Sequence, residues 1–337
     1  MKKIYFCILI LTGILQQQEV CGQDLQLSQF YHTPLYRNPA LSGIMKGDVR
    51  VQTISRSQWN SLANAYKTGS LNVEYKTKAG AGDDYMTWGF QAYYDRAGSA
   101  DLTGTILMPA LNYHKSVSES RNRYLSLGFM GGFVQRRFDR SKITTNNQYD
   151  NGLDGEDQVK NGYSYWDGSV GLSYNSGIGE NENSNMVLGI AYHHFNRPSN
   201  SFFADPSVIL DPKLVVSADF KLDLNEFSTV AIYSDLLLQG SSSQFIAGLL
   251  YGLKLGSLSD EPDYILHGGA FVRLGDAIIP TLKLDYRHFA LGFSYDVNIS
   301  KLYAKSGGRG GSELSVTYTG FLNKFSSSSY ALKCPRF

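Results

Sequence analysis

The sequence predicts an all-β fold, a transmembrane antiparallel β-barrel of about 14 strands with an N-terminal plug-like segment. Three observations lead there. Apolar and polar residues alternate with period 2 from about Asp48 to Phe321, which only a strand converts into one apolar and one polar face. Beyond Leu15, no stretch approaches the roughly 18 apolar residues that a membrane helix needs, so a closed barrel is the remaining way to span a bilayer. The 34 glycines, 23 tyrosines and 18 phenylalanines suit bent strands, tight turns and aromatic belts at the two membrane interfaces.

The elements follow in order. Met1-Lys2-Lys3 is a short basic start, Ile4 to Leu15 is apolar, and Val20-Cys21-Gly22 offers small residues for cleavage, so residues 1–22 read as a signal peptide. Gln18-Glu19-Val20 suits a lipoprotein cut at Cys21 poorly. Cleavage after Gly22 leaves one cysteine, Cys334, which excludes an internal disulfide and a thiolate zinc cluster. Residues 23–47 contain Pro34 and Pro39 without sustained periodicity and read as an irregular lead-in, long enough to enter the lumen as a plug.

Residues 48–321 form the barrel, and residues 322–337 a C-terminal periplasmic tail. The predicted strands are 48–57, 67–77, 85–96, 104–117, 122–138, 163–176, 185–196, 212–222, 227–238, 243–256, 264–274, 278–288, 290–301 and 312–321. Leu291-Gly292-Phe293-Ser294-Tyr295-Asp296-Val297-Asn298 shows the alternation most plainly. Its apolar face, with Leu282 on the preceding strand, is expected toward lipid. Glu74, Lys76, Asp219, Lys221, Lys254, Arg273, Lys283 and Asp285 are expected in the lumen, where charges of mixed sign suit a salt-bridged plug. The long connections 139–162, 197–211 and 302–311 all follow odd-numbered strands and lie at one end. That end is outward, because outer-membrane barrels have long extracellular loops and short periplasmic turns.

Few residues suggest chemistry. The 31 basic and 30 acidic residues form no basic stripe, so no nucleic-acid partner is expected. His193 and His194 are adjacent in a strand and should point to opposite faces, so they cannot share a metal. Asp150 to Asp157 is oxygen-rich but lacks the ligand spacing of an EF-hand. Gly307-Gly308-Arg309-Gly310-Gly311 precedes a strand and has neither a phosphate-binding lysine nor a following helix. No Gly-x-Ser-x-Gly elbow occurs. The expectation is a protein that is not an enzyme and that uses no cofactor and no metal. Aromatic side chains in the outer loops are typical of protein recognition, and Tyr149, Asp150, Tyr163, Phe202 and Phe203 are the candidate partner-binding residues. For Tyr163, Tyr165 and Trp166, a place in the outer aromatic girdle is the competing explanation.

The chain also resembles a known family along most of its length. The motifs are Gln29-Phe30-Tyr31, Pro34-Leu35-Tyr36, Asn38-Pro39-Ala40, Arg50, Arg56-Ser57-Gln58-Trp59, Gly132-Phe133-Val134-Gln135-Arg136, Asn147-Gln148-Tyr149-Asp150, Phe195-Asn196-Arg197-Pro198, Gly275-Asp276-Ala277-Ile278-Ile279-Pro280, Gly308-Arg309-Gly310-Gly311 and Cys334-Pro335-Arg336-Phe337. By these it is similar to the PorP/SprF outer-membrane proteins of the type IX secretion system and its gliding machinery. The resemblance implies outer-membrane localisation and binding of a secreted protein or adhesin that bears a type B C-terminal domain. It also implies contact with periplasmic type IX secretion components and with outer-membrane lipid. Asn38-Pro39-Ala40 resembles an element in the hatch of fatty-acid-transporter-type barrels, so a channel for small hydrophobic molecules is the alternative.

Overall fold

The computed structural model describes residues 24–58, 66–80, 82–118, 122–152, 159–179, 184–256, 262–301 and 303–322. The proposed signal peptide and nearly all of the proposed tail lie outside the described residues. The strands are β1 Val49–Gln58, β2 Tyr66–Lys78, β3 Tyr85–Ala97, β4 Leu102–Ser118, β5 Arg123–Arg137, β6 Gly162–Gly177 and β7 Asn185–His193. They continue with β8 Lys213–Asn225, β9 Ser228–Gln239, β10 Ser242–Leu255, β11 Tyr264–Arg273, β12 Ala277–Tyr286, β13 Phe289–Asn298 and β14 Arg309–Gly320. Each strand pairs with its sequence neighbours, and β1 pairs antiparallel with β14, closing the barrel. Closure removes both sheet edges, so the backbone can meet its hydrogen-bonding needs within the sheet.

The predicted register holds. Leu282 and Phe293 pair across β12 and β13 and are 60% and 48% exposed, whereas Ser294 is fully buried. Glu74, Lys76, Asp219, Arg273 and Lys283 point inward and are buried. A one-residue slip would exchange these sets, so the lipid face alone fixes the register.

Two expectations need correction. The seventh strand stops at His193 instead of reaching residue 196, because His194 and Arg197 take left-handed backbone angles, φ 56° and 45°, that break the extended chain. His194 therefore does not face away from His193; both side chains are buried on the inner side. The fourteenth strand begins at Arg309, earlier than its alternation suggests, because glycines hide the pattern there.

The long connections 138–161, 194–212 and 299–308 share one end, called outer below, while Asp48 bonds to Gly320 at the opposite end. The connection 256–263 after β10 is longer than several of the outer ones. Residues 24–48 run through the barrel interior between the two ends. Asp48 lies at the inner end, where its carbonyl accepts from the Lys76 N–H, and Asp24 lies at the outer ends of β7 and β8 beside His194 and Lys213.

Candidate functional site

Chemistry concentrates in the contact between this interior segment and the strand walls. Short turns Phe30–His32, Pro34–Arg37 and Pro39–Leu41 shape the segment, with the two prolines at helix starts, where a missing N–H costs nothing. Its apolar side chains enter separate patches. Phe30 packs with Ile246, Leu250, Phe271 and Ile279. Tyr31 stacks on Tyr233 at 4.7 Å and on Phe271 at 5.2 Å. Leu35 meets Met108, Ala110 and Met130, and Leu41 and Ile44 meet Val187.

Asn38-Pro39-Ala40 lies in a cradle of strand glycines. A Cβ on Gly171 would stand 1.9 Å from Asn38 Oδ1, one on Gly128 2.4 Å from the Ala40 nitrogen, and one on Gly189 2.8 Å from Asn38 Nδ2. Asn38 Nδ2 donates to the carbonyls of Leu172 and Ile190, and Asn38 Oδ1 accepts from the Ala40 N–H. Asn112, paired with Gly128, and Ser173, two residues beyond Gly171, donate to the Ala40 carbonyl from the same stretch of wall. Here the missing side chains serve close backbone approach.

Charged groups fix the segment at further points. Arg37 donates to both oxygens of Asp219, at 2.8 Å each, and to both of Asp235, with all three side chains buried. Glu313 accepts from the backbone N–H groups of Ser28 and Gln29, at 2.6 and 2.7 Å, and pairs with Arg56. Arg56 also reaches Asp296. Arg50 pairs with Glu74, which accepts from the Gly43 N–H. At the outer end, His194 lies 2.7 Å from both Asp24 and Asp167, and Lys213 donates to Asp24. Burial opposes protonation of His194, but the Asp24 charge and hydrogen bonds to Asp167 and Asp24 outweigh it and lift the imidazole to about 9. His194 is thus a cation at neutral pH.

The two longest outer connections are tied to each other. The Lys160 N–H donates to the Phe202 carbonyl, and the Phe202 ring meets Phe138 and Tyr163 edge-on at 5.1 and 4.7 Å. Tyr163 donates to Asn200 and stacks with Tyr165. Of the five candidate partner-binding residues, Phe202 and Tyr163 are therefore part-buried and brace the loops. Asp150 is exposed, as are Tyr149, at 85%, and Phe203, at 62%. Tyr149 and Asp150 stand on a short helix, Asn146–Asn151, capped by Thr145. In the girdle reading, Trp166 faces outward but Tyr163 and Tyr165 belong to the inner face. Most of the Asp150 to Asp157 stretch lies outside the described residues. Among the described residues no cluster of three His, Cys, Asp or Glu side chains could hold a metal.

Sequence reasoning missed Asp24, Arg37 and Asp235 as partners. Inward parity marks Asp235 as a lumen charge, but nothing local pairs it with Arg37.

Fold and interior together define an outer-membrane β-barrel with an internal N-terminal segment. Among solved structures, the chain is similar to the CymD monoaromatic hydrocarbon channel (11% identity, 86% of this chain and 93% of that one, TM-score 0.49). It is also similar to the Ralstonia pickettii toluene transporter TbuX (9% identity, 85% and 91%, TM-score 0.47) and to CdiB from Acinetobacter baumannii (9%, 81% and 60%, TM-score 0.46). A search of curated proteins found no match. The family model of the type IX secretion system membrane protein PorP/SprF matches residues 20–318, and the chain belongs to that family.

Proposed function

We propose that this protein captures and retains secreted proteins or adhesins at the cell surface, binding their type B C-terminal domains at the outer rim while its periplasmic end engages other type IX components. In this role it supports secretion or gliding and acts by binding, not catalysis. One observation carries the reading: the two longest outer connections are braced against each other through Phe138, Tyr163 and Phe202, and from that braced base they present Tyr149 and Phe203 to solvent. Large exposed apolar side chains on a pre-organised surface are suited to anchor a partner. The interior segment occupies the lumen as a plug in this reading, which favours capture at the rim over passage through the barrel.

The test is the double substitution Tyr149→Ala/Phe203→Ala, which spares the brace. Barrel assembly should be unchanged, and cargo co-purifying from detergent extract should fall. An anchor worth about 2 kcal/mol corresponds to roughly a thirtyfold loss of affinity. Undiminished capture by a correctly assembled double variant would refute binding through these loops.

A further inference from the structure

Cross-strand register lines up three basic side chains near the outer ends of neighbouring strands. Lys67 on β2 pairs with Arg96 on β3, Arg96 with Thr103 on β4, and Thr103 with Arg137 on β5. Paired residues share a face, and this row has the outward parity of Leu71, Trp88, Leu107 and Phe129, the exposed apolar residues of the same four strands. Lys67, Arg96 and Arg137 are all exposed.

Like charges directly opposite each other, as Lys67 and Arg96 are, destabilise a strand pair. Asp101 answers Arg96 from the loop side but is shared with Lys142, which Asp139 also approaches. Neither Lys67 nor Arg137 has an ion-pair partner among the described residues. Near the outer ends of β6 to β10, by contrast, the outward-facing Ser164, Tyr192, Leu214, Leu238 and Ser243 carry no charge. The positive row thus belongs to one sector of the wall. Neighbouring strands lie about 4.8 Å apart, so Lys67 and Arg96 can hold one anion together, while Arg137 stands about 10 Å from Arg96 along the row.

Further down this sector the lipid face carries a depression of about 540 Å³. Its rim is aromatic, with Trp88, Phe129, Trp166 and Phe195, and its floor contains Pro109, Gly131 and Gly168. Gly131 and Gly168 are register partners. The Phe195 ring lies over Gly168, where a Cβ would meet it at 2.5 Å, and so walls one side. At Gly131 the barrel itself does not demand glycine. A Cβ on Gly128, Gly132 or Gly171 would come within 2.4 Å of the interior segment or the adjoining strand, whereas one on Gly131 would find its nearest neighbour, the Asp167 carbonyl, at 3.5 Å. The missing side chain at 131 therefore shapes the outer surface instead of the packing behind it.

The two features lie one leaflet apart. From Gly131 to Arg137 is six residues, roughly 20 Å of strand, or about 15 Å along the membrane normal at a tilt of about 40°. A hydrocarbon core about 30 Å thick gives each leaflet about the same depth. A lipid with its head on the basic row therefore lays its chains over the depression.

We propose that this sector, β2 to β6, binds an outer-leaflet lipid whose head carries two phosphates, one held between Lys67 and Arg96 and the other by Arg137, with an acyl chain seated over Gly131. Phosphate forms charge-assisted hydrogen bonds with lysine and arginine alike, and an anion between Lys67 and Arg96 converts their repulsion into attraction. The spacing suits two phosphates better than one, because a single phosphate centred on Lys67 and Arg96 leaves Arg137 unpaired. Lipid A, a disaccharide phosphorylated at both ends, has this chemistry.

The test uses the full barrel in maltoside detergent, with synthetic hexaacyl lipid A as probe and native mass spectrometry as readout. Wild type should bind one bisphosphoryl molecule saturably. The monophosphoryl form, its phosphate taking the place between Lys67 and Arg96, should bind about tenfold more weakly, as expected for one lost charge-assisted contact. Arg137→Gln should weaken the bisphosphoryl form about tenfold and leave the monophosphoryl form unchanged, so that the preference disappears. Gly131→Phe, which fills the depression, should weaken both forms about tenfold, while Gly268→Phe, at an outward glycine of β11 with room for a side chain, should change neither. Absence of saturable binding, equal affinity of wild type for the two forms, or wild-type binding by Gly131→Phe would overturn the proposal. A wild type that is dimeric without lipid A and becomes monomeric as Gly131→Phe would give the depression to a second copy of the chain and overturn it too. Should Gly131→Phe fail to assemble, Lys67→Gln decides, and bisphosphoryl affinity unchanged in both Lys67→Gln and Arg137→Gln would be equally fatal.

Discussion

Arg37 offers the sharpest test of how the interior segment is held. It neutralises Asp219 and Asp235 at once, and all three side chains are almost completely buried. Arg37→Met keeps the length and apolar stem but leaves two carboxylates facing each other without a counter-ion. Breaking a buried ion pair by removing one partner costs about 3–5 kcal/mol, or roughly a hundredfold to a few thousandfold in the docking equilibrium. The closed ladder does not depend on this residue, so the loss should appear as release of the segment, with the barrel intact. Chymotrypsin reads that release at Phe30, Tyr31 and Tyr36, which are protected while docked. Cleavage that tracks the open population should speed up by at least about a hundredfold in Arg37→Met, with heat-modifiable migration retained. Arg37→Met/Asp219→Leu/Asp235→Leu should return to within about 1 kcal/mol of wild type, because apolar replacement of a whole buried cluster is often neutral or better. Equal cleavage of wild type and Arg37→Met would refute the docking role, and a triple variant cut as fast as the single would show that charge compensation is not the cause.

Three other predictions follow from the same geometry. Gly171→Ala should loosen the segment by about 1–3 kcal/mol in the chymotrypsin assay, because its Cβ would meet Asn38, whereas Gly104→Ala, with open space around it, should change nothing. Phe293→Arg should cost about 2–4 kcal/mol in urea unfolding from lipid vesicles, with Phe293→Leu close to wild type; equal stability of the two would mean that the residue does not face the bilayer midplane. His194, held at about 9 against an unfolded value near 6.5, contributes stability that is complete below about 6.5 and lost as pH rises through about 9, on the order of 3 kcal/mol at most. Protection of the segment's outer end should fall over that window, and His194→Gln should flatten the profile.

The barrel was readable because lipid imposes a strict rule on one face of every strand. Leu282 and Phe293 had to be outward once their neighbours were polar, and loop lengths alone separated the two ends. The boundaries failed where no such rule operates: the left-handed backbone at His194 and the glycine-rich start of β14 carry no hydrophobic alternation. The interior was less legible, because its contacts are distant in sequence. Arg37 finds its carboxylates 182 and 198 residues away, and the cradle for Asn38-Pro39-Ala40 is built from glycines on three strands. A lone arginine in a proline-containing lead-in reveals neither. The outer loops fell between these cases. Their aromatic content suggested a binding surface, but composition could not separate Phe202 and Tyr163, which brace the loops, from Tyr149 and Phe203, which stand free.

A closed ladder satisfies the backbone by itself, and buried ion pairs add little net stability beyond apolar packing. The value of the interior clusters lies elsewhere, in defining one position for the segment. Arg37 meets two carboxylates only where Asp219 and Asp235 stand together, Glu313 finds the Ser28 and Gln29 N–H groups only at one height, and Asn38 fits only over glycine. Sliding the segment by one residue would break all three at once and leave several buried charges unpaired. Its outer end shares this fixation with the surface loops, because His194 opens the same connection that carries Phe202 and Phe203 while its ring binds Asp24. Movement of that connection and release of the segment's outer end therefore draw on the same ion cluster, so the rim and the barrel interior are mechanically joined at His194.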